Sequence, residues 1–495
     1  MPFFSILIPS RNRIELLRHA IASVRAQDFR DLEVIIADNG SETPYEHQFS
    51  PLGCDFNVRF LRTEKPVSVT ENWNRALESA QGQYVIMLGD DDALTPRLLR
   101  RLRDLIGHFK QPDLLYMMAY HYAYPGVFDH APNGYFSIVN NSSLFDGARK
   151  PFRLELARAR HLGRLAIQFR HHISFNAQHF VVKREYINRS HVKPFYQSPY
   201  PDYFAAFVTF LTAKSIVVLP SPEIIIGIAR QSFGGYLARD AESEGLAQFF
   251  HNDHLPKDTN FNGAQLSYAL NFPGSGHIRN WLLASISAAE ALHDTQDLPI
   301  DLRRYRRLQG FEIAHRAGYL KTYDRLKLRE ELEYLSPKDK TYITRLLRFF
   351  RTIDRIPDLS RPYISQRMSG LLNIYYPPKI FPLEIGEHHS IIDAINWLKS
   401  PDEGSSKSRE SGGNQSMADE IGSPSYIESS GLNELIVGLR NELSDQKMQV
   451  AALRTSIGQL QSENKILQDH IGELFKSTSW RITRPLRAVR RLLGG

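Results

Sequence analysis

The sequence predicts an α/β fold with a mainly parallel sheet, followed by a helical region, a flexible linker and a C-terminal coiled coil. Three observations predict it. In the first 110 residues, short β-branched runs alternate with helical stripes, the pattern of strands joined by crossover helices. Three of those strands end in polar clusters: Ser10 to Arg13, Asp38 to Ser41, and Asp90 to Asp92. Near the C-terminus, seam residues recur at four-three spacing from Leu432 to Leu474.

Residues 5–9 are a short apolar run closed by Pro9. Leu16, Leu17, Ala20, Ile21 and Val24 then form a helical stripe. Residues 32–37 are a second strand, ending in the turn sequence Asp38-Asn39-Gly40-Ser41. Residues 59–62 read as a third strand. Residues 69–80 read as a helix, with Gly82 where a helix stop wants it. Residues 84–88 are a continuous apolar strand running into Gly89-Asp90-Asp91-Asp92. Thr95 is expected to cap the next helix, with Pro96 at its first position and Leu98, Leu99, Leu102, Leu105, Ile106 and Phe109 on its buried face. In a parallel sheet, ligands lie outside the carboxyl ends of the strands. The three polar clusters are therefore expected on one rim.

Further strands are expected at 113–119, 180–183, 216–219 and 224–229, among His- and Tyr-rich connections. Residues 1–240 are read as one α/β domain and 241–398 as a mainly helical region, with helices at 278–292 and 320–335. Residues 399–430, dominated by Ser, Gly, Glu and Asp, read as a flexible linker. Residues 431–475 follow. Ile436, Leu443, Val450, Ile457, Asn464 and Ile471 fall at a; Leu432, Leu439, Gln446, Leu453, Leu460, Leu467 and Leu474 fall at d. β-branched residues at a, Leu at d and one Asn at a favour a parallel two-stranded coiled coil, hence a homodimer through 432–474. A single amphipathic helix packed on the body is the alternative.

Composition bounds the function. Of the 495 residues, 42% are hydrophobic and 23% charged, values of a globular protein. One cysteine, Cys54, excludes a disulfide framework and a thiolate zinc site. Met1 to Pro9 is short, uncharged and runs into Arg11 and Arg13, so no secretory leader is expected, and no run of about 18 apolar residues is present to span a bilayer. The net charge of +7 is uneven: residues 401–475 carry twelve acids and six bases, and the last twenty residues carry six bases and no acid. The body is mildly basic, which argues against a nucleic-acid partner. The basic tail at 476–495 is expected to meet an anionic membrane surface. Pro485 starts a short helix there. Leu486, Val489 and Leu493 share one face, Arg487 and Arg491 border it, and Trp480 suits the headgroup region. Docking of that helix on the protein's own body is the alternative. The expected location is cytoplasmic, peripheral on the inner face of the cell membrane.

Asp90-Asp91-Asp92 is the strongest chemical signal. Adjacent carboxylates repel unless a cation neutralises them. Hard oxygen ligands suit Mn²⁺ or Mg²⁺, which would in turn neutralise a diphosphate. The plainer reading is a solvated acidic turn before a helix.

The context is more specific. Ile6-Leu7-Ile8-Pro9-Ser10-Arg11-Asn12-Arg13, Leu32-Glu33-Val34-Ile35-Ile36-Ala37-Asp38-Asn39-Gly40-Ser41, Asn72-Trp73-Asn74-Arg75-Ala76-Leu77 and Gly82-Gln83-Tyr84-Val85-Ile86-Met87-Leu88-Gly89-Asp90-Asp91-Asp92 follow in that order. The order resembles the family 2 glycosyltransferases with a GT-A fold, closely over the first 110 residues and loosely to 235. The resemblance implies a nucleotide-sugar donor, held by Pro9, Arg11 and Asp38. It turns Asp90 toward the ribose and Asp92 toward a Mn²⁺ or Mg²⁺ ion, with Asp91 between them. Asp90 is a second candidate metal ligand, and which two of the three aspartates act stays open. Gly89 stands where many members carry the first Asp of the motif, and Asn39 replaces a frequent second Asp. Arg230 stands near where many members place a metal-binding His; it cannot bind a metal but suits phosphate. His179, His251 and His254 are the other candidates for that ligand, each read equally as a core or surface histidine.

Members also use a carboxylate at the start of a helix as the base that takes the acceptor proton. Pro199-Tyr200-Pro201-Asp202-Tyr203-Phe204 matches that context, and Asp202 is the expected base. An ordinary helix N-terminal acid is the alternative. Tyr196, Tyr200 and Tyr203 suit either sugar stacking or the core. The tail sequence resembles an ending shared by bacterial polysaccharide-assembly glycosyltransferases. The expected activity is an inverting sugar transfer to a glycan or lipid-linked glycan acceptor in surface-polysaccharide synthesis. Two rivals stand beside it. A nucleotidyltransferase making the nucleotide sugar calls for a Gly-rich loop where this chain has Pro9-Ser10-Arg11-Asn12. A non-catalytic coiled-coil scaffold would only bind the sugar nucleotide.

Overall fold

A computed structural model describes residues 1–49, 55–128, 132–140, 144, 148–170, 173–238, 241–250, 264–293, 297–320, 325–353, 379–383 and 390–399. The expected coiled coil, the basic tail, His251 and His254 lie outside the described residues.

Four parallel strands carry the expected rim: β1 (Phe4–Ser10), β2 (Leu32–Asp38), β3 (Asn57–Arg62) and β4 (Tyr84–Met87), in the spatial order β3-β2-β1-β4. Connecting them are α1 (Ile14–Arg25), α2 (Tyr45–Gln48) and α3 (Val69–Ser79). The two-residue β5 (Ala93–Leu94) and α4 (Leu98–His108) follow the acidic triplet. Beyond β4 the sheet changes direction. β9 (Phe180–Lys183) pairs antiparallel with both β4 and β6 (Leu114–Ala123), and β6 runs parallel to β10 (Ile216–Ile228). β7 (Tyr135–Asn140) and β11 (Lys379–Leu383) extend the edge antiparallel, and β8 (Phe152–Leu154) pairs with β10.

Side-chain alternation divides the core. Phe4, Ile6 and Ile8 of β1 pack with Ile21 and Val24 of α1 and with Leu99 and Leu102 of α4 on one face. Leu7, Ile35, Val85 and Met87 face the other side, where α3, α5 (Leu156–Ile167) and α7 (Pro201–Thr212) pack. That is the two-residue period of a strand buried on both faces. α6 (Arg184–Arg189), α8 (Phe233–Ala238), α9 (Glu242–Phe250), α10 (Ala264–Leu270), α11 (Gly276–Ala291), α12 (Leu302–His315), α13 (Arg325–Glu333), α14 (Pro337–Ile353) and α15 (Ile391–Lys399) complete the described helices. Residues of α11, α12 and α14 share the core of the second sheet face: Phe169 packs on Trp281 and Tyr305, 5.6 and 5.5 Å between ring centroids. α15 covers Tyr122, Tyr124 and Ile225 in a smaller cluster.

Three local expectations are corrected. The stretches expected as two strands, 216–219 and 224–229, form one strand, β10 (Ile216–Ile228), whose register slips on either side of Pro222. Proline lacks the ladder donor, so the strand bulges there instead of ending. Thr95 does not cap α4. Its hydroxyl donates to the Glu223 carbonyl at 2.6 Å, and the helix opens after Arg97, which has φ 61°. Gly82 does not terminate α3, whose cap is Ala80. It lies against β1: a Cβ there would come 2.5 Å from the Ser5 amide nitrogen, so only glycine fits.

Candidate active site

The rim forms as the strand ends dictate. Ser10 Oγ donates to Asp90 Oδ2 at 2.5 Å, and Arg13 Nε lies 2.9 Å from the same oxygen. Tyr45, from α2, bonds Ser10 Oγ at 2.8 Å and accepts the Arg13 amide at 3.0 Å. The Asn12 amide donates to Ser41 Oγ at 3.0 Å, which ties the first rim cluster to the second.

Asp38 is buried and both its oxygens have protein partners. Oδ1 accepts the Ser41 amide at 2.9 Å; Oδ2 accepts the Tyr45 amide at 3.3 Å and Arg62 Nη1 at 2.9 Å. It therefore shapes the loop beyond β2. Pro9 pairs with Ala37 in the β1–β2 register, at the mouth of the same cleft. Arg11 is partly buried, and its Nε has no hydrogen-bond partner.

The three aspartates are all buried, but they point to different partners. Asp90 turns to Arg13 and Ser10, while its Oδ1 is buried and accepts no hydrogen bond. Asp91, the most open of the three at 8% exposure, accepts the Ala229 amide of the β10 end at 3.4 Å. Asp92 is tied at both oxygens: Oδ2 accepts the Gly89 amide at 2.6 Å and Oδ1 the Gly227 amide at 2.8 Å. Gln178 also bonds its side chain. A Cβ at position 89 would fall 2.5 Å from Asp92 Oδ2, so a glycine there lets that carboxylate fold back. Burial raises the pKa of all three above the ordinary carboxylate range. Arg13 opposes this at Asp90 and Asp91, and the Asp91 charge adds to it at Asp90 and Asp92.

Among the described residues no three His, Cys, Asp or Glu side chains converge as an all-protein metal cage. His179 is turned to other work: Nδ1 meets the Met117 carbonyl at 2.7 Å, the ring stacks on Tyr116, and burial lowers its pKa to about 4. The donor set instead fits an ion held by one or two carboxylates plus substrate oxygens, the usual manner of Mg²⁺. The unpartnered Asp90 Oδ1 is the observation that favours such a fit.

Asp202 stands in the first turn of α7, after Pro201. Its Oδ1 accepts the Tyr203 amide at 2.9 Å. No cation pairs with it among the described residues. Burial, opposed by that backbone bond, pushes its carboxyl up to about 7. Asp202 borders a cavity of about 20 Å³ lined also by Met87, Ala177 and Tyr196. Met87 ends the strand that leads into the triplet, and Ala177 precedes the Gln178 that bonds Asp92. The two carboxylate groups therefore border connected structure.

Helix α3 ties the same parts together from below. Asn72 Nδ2 donates to the Ala37 carbonyl of β2 at 3.1 Å. Asn74 exchanges bonds with the Tyr196 backbone, donating at 2.9 Å and accepting at 3.2 Å, and Trp73 packs edge-on to Tyr196. The Asn-Trp-Asn stretch thus fixes the segment that leads to Asp202. Sequence reasoning misses the parts played by Ser10, Arg13, Tyr45 and Gln178. Ser10 and Arg13 belong to the recognised first-strand motif, which is a signal; Tyr45 and Gln178 lie outside any motif.

An α/β sheet whose parallel strands end in a polar rim around an acidic triplet agrees with the expected GT-A type of fold. Residues 5–164 match the family model described as "Glycosyl transferase family 2". Over 104 residues the chain is 36% identical to a Campylobacter jejuni GalNAc(5)-diNAcBac-PP-undecaprenol beta-1,3-glucosyltransferase, covering 21% of this chain and 34% of that protein. Over 112 residues it is 33% identical to the putative colanic acid biosynthesis glycosyl transferase WcaA of Escherichia coli, covering 22% and 39%. A PGL/p-HBAD biosynthesis glycosyltransferase of Mycobacterium tuberculosis is 28% identical over 134 residues, covering 26% and 52%. The chain thus spans between a third and about half of the length of these curated relatives. Among solved structures, Staphylococcus aureus TarS 1-349 in complex with UDP-GlcNAc aligns with a TM-score of 0.39 and 15% identity, covering 72% of this chain and 93% of that one.

Proposed function

We propose that the chain is an inverting glycosyltransferase that moves a sugar from a nucleotide-sugar donor to a glycan or lipid-linked glycan acceptor in surface-polysaccharide synthesis. The observation that carries this reading is a buried acidic triplet at the end of β4 together with a separate carboxylate, Asp202, in the first turn of α7, which burial pushes up to about 7. The family 2 match and relatives named for polysaccharide and glycolipid assembly support it.

In this reading the nucleotide lies at the ends of β1 and β2, against Pro9, Arg11 and Asp38. Asp90 and Asp91 face the ribose and diphosphate. Asp92 and Asp90 would hold Mn²⁺ or Mg²⁺, and such an ion would supply positive charge against the diphosphate. Arg13, beside Asp90, and Arg230, beyond β10, add fixed positive charge. Asp202 takes the proton of the acceptor hydroxyl as its oxygen attacks the anomeric carbon. The bond from that carbon to the diphosphate breaks, and the nucleoside diphosphate leaves with the electron pair. Burial suits Asp202 to this role because a base works best with a pKa near the working pH.

The C-terminal part of the proposal is homodimerisation through 432–474 and attachment of 476–495 to the anionic inner face of the cell membrane. No helix among the described residues is long and apolar enough to cross a membrane, so a peripheral attachment is the route this reading uses.

The test is nucleoside-diphosphate release from a panel of UDP-, GDP- and dTDP-hexoses, with Mn²⁺ or with chelator. Release that needs the cation and is lost in Asp92→Asn is expected. Unchanged turnover in chelator would remove the metal from the reading, and no release from any donor would favour a binding scaffold.

A further inference from the structure

Asp202 does not stand alone at the start of α7. The residues around it, Tyr200 and Tyr203, both reach one histidine from the helical region. Tyr200 Oη is 2.9 Å from His277 Nδ1, and Tyr203 Oη is 3.3 Å from His277 Nε2. Both ring nitrogens are thus engaged. A neutral imidazole has one donor and one acceptor, so it accepts from one hydroxyl and donates to the other. The three rings also pack together, with Tyr200 to Tyr203 centroids 5.0 Å apart and Tyr200 to His277 5.3 Å. Burial keeps His277 below the usual imidazole range, with Glu242 opposing.

His277 is itself held from three helices. It lies in the first turn of α11, and its amide donates to Glu242 of α9. Ser275, the cap of that helix, donates to the same Glu242 oxygen at 2.8 Å. The Ser275 amide donates to Gln309 of α12 at 2.7 Å, and Gln309 Nε2 returns a bond to the Ser275 carbonyl at 2.9 Å. Arg316 pairs with Glu242 at 3.9 Å. At its far end α9 places Phe250 against Tyr200, 5.2 Å between centroids, and Phe249 beneath Arg13 at 6.0 Å. One short helix therefore touches both the histidine clamp and the cation beside Asp90.

We propose that His277 is a positioning residue for Asp202: by bridging Tyr200 and Tyr203 it holds the first turn of α7, and through it the carboxylate, in place. The path is short. His277 fixes the Tyr203 side chain, and the Tyr203 amide donates to Asp202 Oδ1 at 2.9 Å. This gives the helices beyond residue 240 a share in the chemistry of the sheet domain. It rests on the reading of Asp202 as the base.

The experiment is a double-mutant cycle on the full chain. Activity is read as nucleoside-diphosphate release from the UDP-, GDP- or dTDP-hexose that the wild type turns over, with water as acceptor. His277→Phe keeps a ring but removes both bonds. It should lower kcat by roughly 10–100-fold with donor KM little changed, because small misplacement of a reacting group is enough for such losses. In an Asp202→Asn background the same change should have no further effect. Tyr203→Phe, which deletes a single hydroxyl, should lose part of that factor and show the same non-additivity. It carries the test if His277→Phe fails to fold. Equal losses with and without the Asp202 carboxylate would overturn the proposal. Wild-type turnover by Asp202→Asn alone would instead overturn the base assignment, so the two failures are told apart.

Discussion

Arg13 Nε lies 2.9 Å from Asp90 Oδ2, and Asp90 is 1% exposed. The guanidinium is thus a cation built into a cluster of three buried carboxylates. Removing one partner of a buried pair leaves the other uncompensated, at a cost of about 3–5 kcal/mol. Arg13→Gln should therefore destabilise the protein strongly at pH 8. Without the cation the Asp90 pKa, already raised, rises further, so the folded state holds its proton to higher pH. The loss should shrink at pH 5.5, where that proton is bound. Denaturant titrations at the two pH values check this; equal losses would mean that Arg13 contributes by packing alone.

For Asp202 the expected consequence is kinetic. A base must be deprotonated, and its carboxyl is pushed up to about 7. Turnover should rise with pH through about 7 and level off above it. Asp202→Asn should lower turnover by roughly 10²–10⁴-fold, the usual contribution of a general base, with donor affinity little changed. Collapse of donor binding with high residual turnover would make Asp202 a structural residue.

Away from the rim, Glu33 makes a different kind of prediction. It is 1% exposed and accepts bonds from Ser5 Oγ at 2.6 Å, the Gln81 amide at 2.6 Å and Arg59 Nη2 at 2.7 Å. Burial pushes its pKa up, but these donors outweigh it and leave it below the ordinary value. The stability it contributes is present above the unfolded carboxylate pKa and is lost as pH falls through the depressed folded one. Glu33→Gln should lower the melting temperature at pH 7, and the gap to wild type should close in acid. A gap independent of pH would sink the electrostatic account.

The C-terminal proposals are testable on isolated pieces. A peptide of residues 430–475 should sediment as a dimer, and Asn464→Ile should give a more stable helix of mixed oligomer state, since a buried Asn at a selects register and dimer state at some cost. Deletion of 476–495 should release the full chain from anionic vesicles while donor hydrolysis persists. A monomeric peptide would end the dimer proposal; equal vesicle binding with and without the tail would end the anchoring one.

Much of the sheet was legible because buried parallel strands are continuous apolar runs bounded by turn chemistry. Residues 32–37 and 84–88 show this; β9, antiparallel to both its neighbours but just as apolar, has limits that agree with the expected 180–183. Elements without such signals were not legible. α5 opens on Glu155 with no side-chain cap, and β7 mixes aromatic, aliphatic and polar residues without a continuous apolar run. Gly82 and Thr95 were read by local rules for helix ends. Distant backbone decides both: β1 for the glycine, the Glu223 carbonyl for the threonine.

By itself the sequence determined which strands end in polar residues, and that these ends share one rim, because strand period and crossover direction are local properties of the chain. It could not say where each carboxylate points. Asp90, Asp91 and Asp92 are neighbours in sequence, yet their partners are Arg13, Ala229 and Gly227. The bond of His277 to the tyrosines beside Asp202 likewise spans more than seventy residues. Only the tertiary structure decides such pairings, because a buried polar group must find whatever donor or acceptor the packed elements bring to it, however far off in the chain that partner lies.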